Sequence, residues 1–467
     1  MPIRVSFHTL GCKLNQLETD AIADAFAREG AVVLPFEPRA AAQIDLVAIN
    51  TCTVTGKADR SARRMIRLAL EAFPRSVVIV TGCYAQVEAR GLSAIGDRVL
   101  VVPGADKAAL LRLPRRLAQA GVIDACPEDP VELRAEIDAV LDDERSAARI
   151  RSVGRFDYDP RAFAFHSRPA LKIQDGCDNE CAYCRARIAR GGASSLPASE
   201  VLERARALEA AGRAEIVLTG LNLSQYRDGE TDFPGLLALL LDGTEHISFR
   251  ISSYEPDAVG PAFLEAFAHP RVRPHAHLAV QSGSDSLLLS MERRYCRSDV
   301  LAATRALALA KADPLIAADF IVGFPGESDE DFAASLDLAR SCGFSRIHVF
   351  RFSPRPGTAA ASLPDPVPER VAGERARSLG ALGAAAWASY AERWSGRSVK
   401  AVLERDLLAT SENYLKLKPR CLPDSARPGQ EILCRVEAAS VGRPGSGGEE
   451  TAVPALYISP STRIEPP

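Results

Sequence analysis

The sequence predicts an α/β protein in three parts: an open parallel sheet covered by helices, a partly closed barrel of six βα units, and a small all-β domain. Three observations carry this reading. Short apolar or β-branched runs alternate with helical stretches through the first third of the chain and again after Ala170, the rhythm of parallel strands joined by crossovers. Beyond an Ala-rich helical stretch the pattern changes to short strands alone. The 467 residues, 47% of them hydrophobic, suffice for about three domains with separate cores.

In the first domain, residues 1–126, the strand candidates are Arg4–Thr9, Ile44–Asn50, Ser76–Thr81 and Arg98–Val102. Asn15-Gln16-Leu17-Glu18 reads as a helix N-cap with an acidic residue three positions on, and that helix stops near Gly30. Residues 127–165, first acidic and then Arg-rich, read as a linker with some helix. In the central domain, 166–395, the strand candidates are Ala170–Gln174, Glu215–Thr219, Ile247–Ser252, His277–Gln281, Ala317–Val322 and Arg346–Phe352. Helical segments such as Ser199–Ala211 and Asp329–Ser341 fall between them, and six such units suit a partial barrel rather than a full eight-unit one. Ala372–Trp394 is the helix leading out. The last domain, 396–467, offers strands at Ser398–Leu403, Tyr414–Lys418, Glu431–Val436 and Ala455–Ile458, with 442–450 as a mobile Gly/Pro/Glu loop.

The formal charge, 57 − 60 = −3, excludes a wholly basic nucleic-acid coat, so an RNA or DNA partner must be met by a local patch. No apolar run approaches the roughly 18 residues that span a bilayer, and the eight uncharged residues between Arg4 and Lys13 are too few for a signal peptide. A cytoplasmic protein with no membrane partner is the expectation. Its eleven cysteines are then not a disulfide framework.

Cys177, Cys181 and Cys184 form C-x3-C-x2-C directly after a strand. Thiolates at this spacing can hold three irons of a 4Fe–4S cluster and leave the fourth open for a ligand. A zinc site completed by His166 or a distant cysteine is the alternative. Cys12, Cys52 and Cys83 are far apart in sequence, yet each follows a strand and a short Gly or Thr turn. Carboxyl ends of parallel strands share one edge, so three cysteines leaving three such strands converge there as a second metal site. Three separate buried cysteines are the plainer reading. Cys126, Cys296, Cys342, Cys421 and Cys434 show no ligand spacing.

Other strand ends on the barrel's ligand face carry turn or polar residues: Arg250-Ile251-Ser252-Ser253, Gln281-Ser282-Gly283-Ser284 and Gly323-Phe324-Pro325-Gly326-Glu327. Basic residues cluster after two of the cysteines, at Lys57, Arg60, Arg63, Arg64 and Arg67 and at Arg185, Arg187 and Arg190. A solvated helix face is the common reason for such runs. Tyr414, Lys416, Lys418 and Arg420 alternate along a predicted strand, a composition that suits RNA phosphate and base contacts.

The segment Cys177-Asp178-Asn179-Glu180-Cys181-Ala182-Tyr183-Cys184 resembles the signature of radical S-adenosylmethionine (SAM) enzymes. Together with His8-Thr9-Leu10-Gly11-Cys12-Lys13-Leu14-Asn15, Asn50-Thr51-Cys52-Thr53-Val54-Thr55, Thr81-Gly82-Cys83-Tyr84-Ala85-Gln86 and the Gly-Phe-Pro-Gly-Glu turn, it resembles the methylthiotransferase branch of that superfamily. The last domain is similar to the family's tRNA-binding TRAM module. The Leu-Gly-Cys-Lys and Asn-Thr-Cys-Thr-Val-Thr forms look most like enzymes acting on N6-threonylcarbamoyladenosine at position 37 of tRNA. Related enzymes act on isopentenyladenosine 37 or on a ribosomal-protein aspartate. The chain departs from the family pattern at Arg185-Ala186-Arg187-Ile188-Ala189-Arg190-Gly191, where relatives commonly carry an apolar Ile-Pro stretch.

The resemblance implies two 4Fe–4S clusters, one on Cys177, Cys181 and Cys184 that binds and reductively cleaves SAM, and one on Cys12, Cys52 and Cys83 that presents the sulfur. It implies methylthiolation of carbon 2 of the adenine. Tyr183, Gly220, Asn222, Ser252, Gln281, Gly323, Pro325 and Gly326 are the expected cofactor contacts. Arg60, Arg64, Arg187, Tyr414, Lys416 and Lys418 are the expected RNA contacts. A flavodoxin- or ferredoxin-type electron donor and a sulfur donor are the implied partners. A zinc-stabilised RNA-binding protein without enzymatic activity is the competing expectation.

Overall fold

The chain is described from a computed structural model, which covers residues 1–39, 43–148, 154–159, 163, 165–437 and 452–460. The first domain is a five-stranded, all-parallel sheet of β1 (Arg4–Thr9), β2 (Val32–Pro35), β3 (Leu46–Thr51), β4 (Val77–Gly82) and β5 (Val99–Val101), in the order β2-β1-β3-β4-β5. Both β3 and β4 are buried at every position. That is why they read as continuous apolar runs rather than alternating ones. Helices α1 (Lys13–Arg28), α2 (Gly56–Ala72) and α3 (Cys83–Val87) follow β1, β3 and β4. The edge strand β2, Val-Val-Leu-Pro, is only partly buried, and four residues are too short a run to show a period.

The expected N-cap at Asn15 is corrected. Cys12 is the N-cap of α1, and Asn15 lies inside the helix, fully buried, where its amide donates to the carbonyls of Leu10 and Thr51 at 2.8 and 3.1 Å. The helix ends one residue before Glu29, and Gly30 takes φ +93°. The 127–165 stretch contains the helix Pro130–Ala148, which packs on the first domain through Leu133, Ile137 and Leu141.

The central domain is a six-stranded parallel half-barrel: β6 (Ala170–Lys172), β7 (Glu215–Thr219), β8 (Ser248–Ile251), β9 (His275–Gln281), β10 (Leu315–Val322) and β11 (Arg346–Arg351). It runs as two sheets, β6-β7-β8 and a second in which Ser253–Tyr254 pairs with β9, then β10 and β11. The break falls at Ser252, so one chain segment serves both sheets. Ala170–Gln174 is likewise broken, with Gln174–Asp175 pairing instead to Ser194–Ser195. Helix α1 of the first domain packs against the open edge β6.

The last domain is a closed barrel of Ser398–Leu403, Ala409–Ser411, Lys416–Arg420, Glu431–Val436 and Val453–Pro460. Ala409–Ser411 went unread because three residues carry no periodicity. The strand expected from Tyr414 begins at Lys416, and the loop expected at 442–450 lies outside the described residues.

A buried ion network ties this domain to the barrel. Glu215 accepts Arg250 Nε and Nη2 at 2.7 and 2.9 Å and Arg273 Nε at 2.8 Å, and Arg168 lies 3.5 Å away. Arg250 also donates to the Ser411 carbonyl, Arg273 reaches Glu431 and Arg168 reaches Glu404. Burial opposes ionisation of Glu215, but the guanidinium groups of Arg250 and Arg273 outweigh it and hold the carboxyl far below its usual range. Removing one partner of a buried network leaves uncompensated charge, which costs about 3–5 kcal/mol. We therefore expect Glu215→Gln to lower the thermal unfolding midpoint and to release the last domain to limited proteolysis. The wild type loses this stabilisation progressively as pH falls below the ordinary glutamate value toward the depressed one, because a lowered folded-state pKa stabilises fully only above the unfolded value.

Candidate metal centres

The strands β1, β3 and β4 are neighbours in the sheet, in a register that sets Thr9 beside Asn50 and Thr51 beside Gly82. Cys12, Cys52 and Cys83 therefore leave three adjacent strands at one sheet edge. Two glycines make the approach possible. Gly11 has φ +100°, and a Cβ there would lie 2.5 Å from Cys52 Cβ and 2.8 Å from its Sγ; Gly82 has φ +99°, and a Cβ there would lie 2.3 Å from the Thr51 carbonyl oxygen. Both positions need a residue without a side chain for conformation and for space.

The other trio sits on the loop after Gln174–Asp175. Asn179 N–H and Asn222 Nδ2 donate to Cys177 Sγ at 3.4 and 3.7 Å, and Gln174 braces the loop by donating to the Gly176 carbonyl and accepting from Asn222 N–H. Behind the loop, Phe324 of the Gly323–Gly326 turn is fully buried against Ala182, Leu287, Met291 and Ala360. Burial pushes the thiols of Cys177 and Cys184 up, and that of Cys52 to about 12. Thiolates here need a positive partner.

Each trio has an arginine on one of its sulfurs. Arg293 Nη1 donates to Cys181 Sγ at 3.1 Å and is itself held by Glu255 and Tyr295. Arg190, on the short helix Ala186–Arg190, donates from Nε to Cys83 Sγ at 3.3 Å. Its remaining four donors go to Glu18, Asp175 and Asn15 at 2.9–3.2 Å, so all five guanidinium hydrogens are used. Lys107 and Lys172 complete the set, each paired with Glu18. Three cations thus face two buried carboxylates. The one excess positive charge is what three thiolates around a doubly charged iron–sulfur core would balance.

A single zinc bound by thiolates at about 2.3 Å draws its sulfurs to under roughly 4 Å of one another. Among the described residues neither cysteine trio gathers its sulfurs within 4.8 Å, and the one group of three ligand atoms so close is His277, Asp319 and His348. His166 is hydrogen-bonded to Asp20, 2.5 Å away. Donor separation argues against a single zinc at either trio, and the excess positive charge beside Cys83 suits an iron–sulfur core there.

The remaining expected contacts fall in different places. Tyr183 and Gln281 line a cavity of about 180 Å³ beside the Cys177–Cys184 loop, together with Val54 and Thr55 of the first domain. Gly220 and Ser252 line a second cavity of about 410 Å³ inside the barrel, which Cys12 also lines. Gly323 and Pro325 are buried and only Gly326 is exposed. That turn braces the cysteine loop from behind. Arg60 and Arg64 are exposed on α2 in line with Lys57 and Arg67, at helical spacing along one face. Arg187 is half-buried and paired with Glu180. Arg185 and Arg190, read as part of a basic patch, are instead interior: Arg185 reaches Thr53 and Asp59 of the first domain. Lys418 is exposed and Lys416 lies 3.8 Å from Glu404. Tyr414 does not share their surface. Its backbone is left-handed (φ +67°), and its ring stacks on His275 at 4.5 Å and lies under Arg250 and Lys13.

Sequence reasoning missed Glu18, Lys107, Lys172, Glu255 and Arg293. Lys172 has a local partner in Asp175, but the pairings of Glu18 with Lys107 and Lys172 and of Glu255 with Arg293 join residues 38 to 154 positions apart, which no local pattern marks.

Two family models match the chain: the Radical SAM superfamily over residues 171–339, and the model described as uncharacterized protein family UPF0004 over residues 4–104. The chain is 43% identical to the threonylcarbamoyladenosine tRNA methylthiotransferase MtaB of Treponema pallidum, covering 88% of this chain and 94% of the relative. It is 32% identical to the protein of the same name from Aquifex aeolicus (89% and 96% covered). It is 33% identical to the tRNA-2-methylthio-N(6)-dimethylallyladenosine synthase of Chromobacterium violaceum (81% and 82% covered). Among solved structures, the radical SAM methyltransferase TsrM of Kitasatospora setae shares the fold at a TM-score of 0.51 and 15% identity, over 77% of this chain and 75% of that one.

Hydrogen bonds to cluster sulfurs and nearby charge set reduction potential. In a background with Cys177, Cys181 and Cys184 replaced by alanine, Arg190→Gln should lower the midpoint potential of the remaining cluster, read by a redox titration followed by electron paramagnetic resonance. An unchanged potential would show that Arg190 only tethers the two domains.

Proposed function

The chain belongs to the radical SAM tRNA methylthiotransferase family, and from that membership we propose that Cys177, Cys181 and Cys184 hold one 4Fe–4S cluster and Cys12, Cys52 and Cys83 the other. The protein is a transferase that places a methylthio group on carbon 2 of N6-threonylcarbamoyladenosine at position 37 of tRNA, using two 4Fe–4S clusters and SAM. When bound, the first cluster supplies reductive activation of SAM at its open iron and the second supplies a site for the sulfur to be transferred.

The observation that carries the assignment of the six cysteines is Arg190. One guanidinium joins Cys83 to Asp175, two residues before Cys177, which supports reading the two trios as parts of one site. Asn222, Arg293 and the backbone N–H of Asn179 orient the loop sulfurs. Tyr183 and Gln281 wall the cavity nearest that loop, which supports them as SAM contacts.

Outside, Lys57, Arg60, Arg64 and Arg67 form an exposed basic stripe on α2, directly after Cys52. Such a stripe suits tRNA phosphates; Lys418 is a further exposed cation, whereas Arg187 and Lys416 are already paired with Glu180 and Glu404. Among the described residues no helix is long and apolar enough to cross a membrane. A cytoplasmic site of action, a flavodoxin- or ferredoxin-type electron donor and a separate sulfur donor complete the reading.

Mass spectrometry of tRNA nucleosides from a deletion strain tests the substrate. Loss of 2-methylthio-N6-threonylcarbamoyladenosine with retention of its 2-methylthio-isopentenyl counterpart is expected, and the reverse pattern would assign the isopentenyl substrate instead. After anaerobic reconstitution the protein should hold about eight iron and eight sulfide, falling to about four when either cysteine trio is replaced by alanine. A wild-type content of about four would defeat the two-cluster assignment.

A further inference from the structure

Three side chains of the half-barrel interior have no part in holding either cysteine trio. His277 on β9, Asp319 on β10 and His348 on β11 come from neighbouring strands. The register sets Asp319 beside His348, and His277 beside Ala317, two residues before Asp319. Positions two apart on a strand share a face, so the three side chains meet on one wall. One ligand atom from each lies within 4.8 Å of the others. His277 and His348 line the cavity of about 410 Å³ that Cys12 also lines, whereas Asp319 lines the cavity of about 180 Å³ beside the Cys177–Cys184 loop. The group therefore stands in the wall between the two cavities.

Hydrogen bonding does not account for this convergence. His277 Nε2 is shut off from water and lies 2.9 Å from an Asp319 oxygen, but the contact is not aligned as a hydrogen bond, and the nitrogen has no other partner. Among the described residues neither the Asp319 carboxylate nor the His348 ring takes part in a side-chain hydrogen bond. Polar groups withdrawn from solvent are seldom left so, and an ion is one of the few partners that satisfies two imidazoles and a carboxylate together. An ordinary histidine–aspartate pair would need an aligned N–H···O bond and would leave His348 without a role.

Two imidazole nitrogens and one carboxylate oxygen form a donor set of the kind zinc and similar divalent ions take. Ligands at about 2.0–2.2 Å from one ion lie roughly 3–4 Å apart, and the approach of His277 to Asp319 is close to that spacing. The two cations that line the barrel cavity are engaged elsewhere. Arg346 has a partner of its own and stacks on Trp387 at 5.5 Å, and the Lys13 ammonium lies 5.5 Å over the Tyr414 ring. The Asp319 carboxylate opposes their field at the point where an ion would sit.

We propose that His277, Asp319 and His348 bind one divalent transition-metal ion of the zinc type, separate from both cysteine trios and set in the wall between the barrel cavity and the cavity at the cysteine loop. By joining β9, β10 and β11 at that partition, the ion fixes the surface against which ligands in either cavity pack.

The test supplies zinc to the reconstituted enzyme, dialyses it against zinc-free buffer and measures the metal retained. About one zinc per chain is expected, and X-ray absorption at the zinc edge should show nitrogen and oxygen at about 2.0–2.2 Å with no sulfur at about 2.3 Å. Asp319→Ala and His348→Ala should each bring zinc down to background while iron and sulfide stay at their wild-type values. Replacing all six cysteines of the two trios by alanine should leave the zinc in place, so the outcome is independent of the cluster assignment. Loss of zinc from the wild type on dialysis would overturn the site. Retention of zinc by either alanine variant, loss of zinc with the six cysteines, or a sulfur shell around the zinc would overturn it equally, and the absorption spectrum needs no variant to fold.

Discussion

The guanidinium of Arg190 is the constraint on which the rest of the arrangement depends. Its five donors reach a helix of the first domain, a loop of the barrel and a cysteine of the first-domain trio. Planar, fixed-fork geometry lets one side chain set distances among three separate elements, which a lysine's single ammonium cannot do. Burial opposes ionisation of Glu18, yet Arg190, Lys107 and Lys172 keep it a carboxylate. The interface is therefore made of charges that must all be present together. Such networks stabilise little when intact but strongly penalise partial assembly. Relative placement of the two trios is in effect all or none.

The two ends of the central half-barrel are handled differently. At the ligand end, β1 and β4 of the first domain give way to turns at Gly11 and Gly82 that need glycine. At the opposite end, Glu215 gathers Arg168, Arg250 and Arg273 and through them the last domain. Six strands leave the barrel open, and neighbours supply the missing wall: α1 covers β6, and the helix Glu369–Arg393 covers β11. Active-site enclosure is thus shared among all three domains.

Strands buried on both faces were legible because burial and β-propensity act on the same residues. Glu215–Thr219, buried at every position, has the limits its sequence suggests, and so do Ser398–Leu403 and Glu431–Val436, where more and less buried positions tend to alternate. Cys12, Cys52 and Cys83 could be grouped because parallel topology brings strand ends to one edge whatever their spacing. Charge was legible only where it stayed outside. Lys57, Arg60, Arg64 and Arg67 read as a helix face and are one, whereas Arg185, Arg190 and Tyr414 read as surface and are interior. A guanidinium followed into the core by distant carboxylates looks, in sequence, like any exposed basic residue.

Tyr414 and its surroundings floor the barrel cavity, yet they come from the final seventy or so residues, while the cavity's roof at Cys12 comes from the first dozen. Synthesis runs from the amino end, and domains generally fold in that order. The chamber is consequently roofed early, walled next and sealed from below only when the ribosome is nearly finished. A nascent chain stalled before its final domain is an open vessel, with its lysine and histidines facing bulk water.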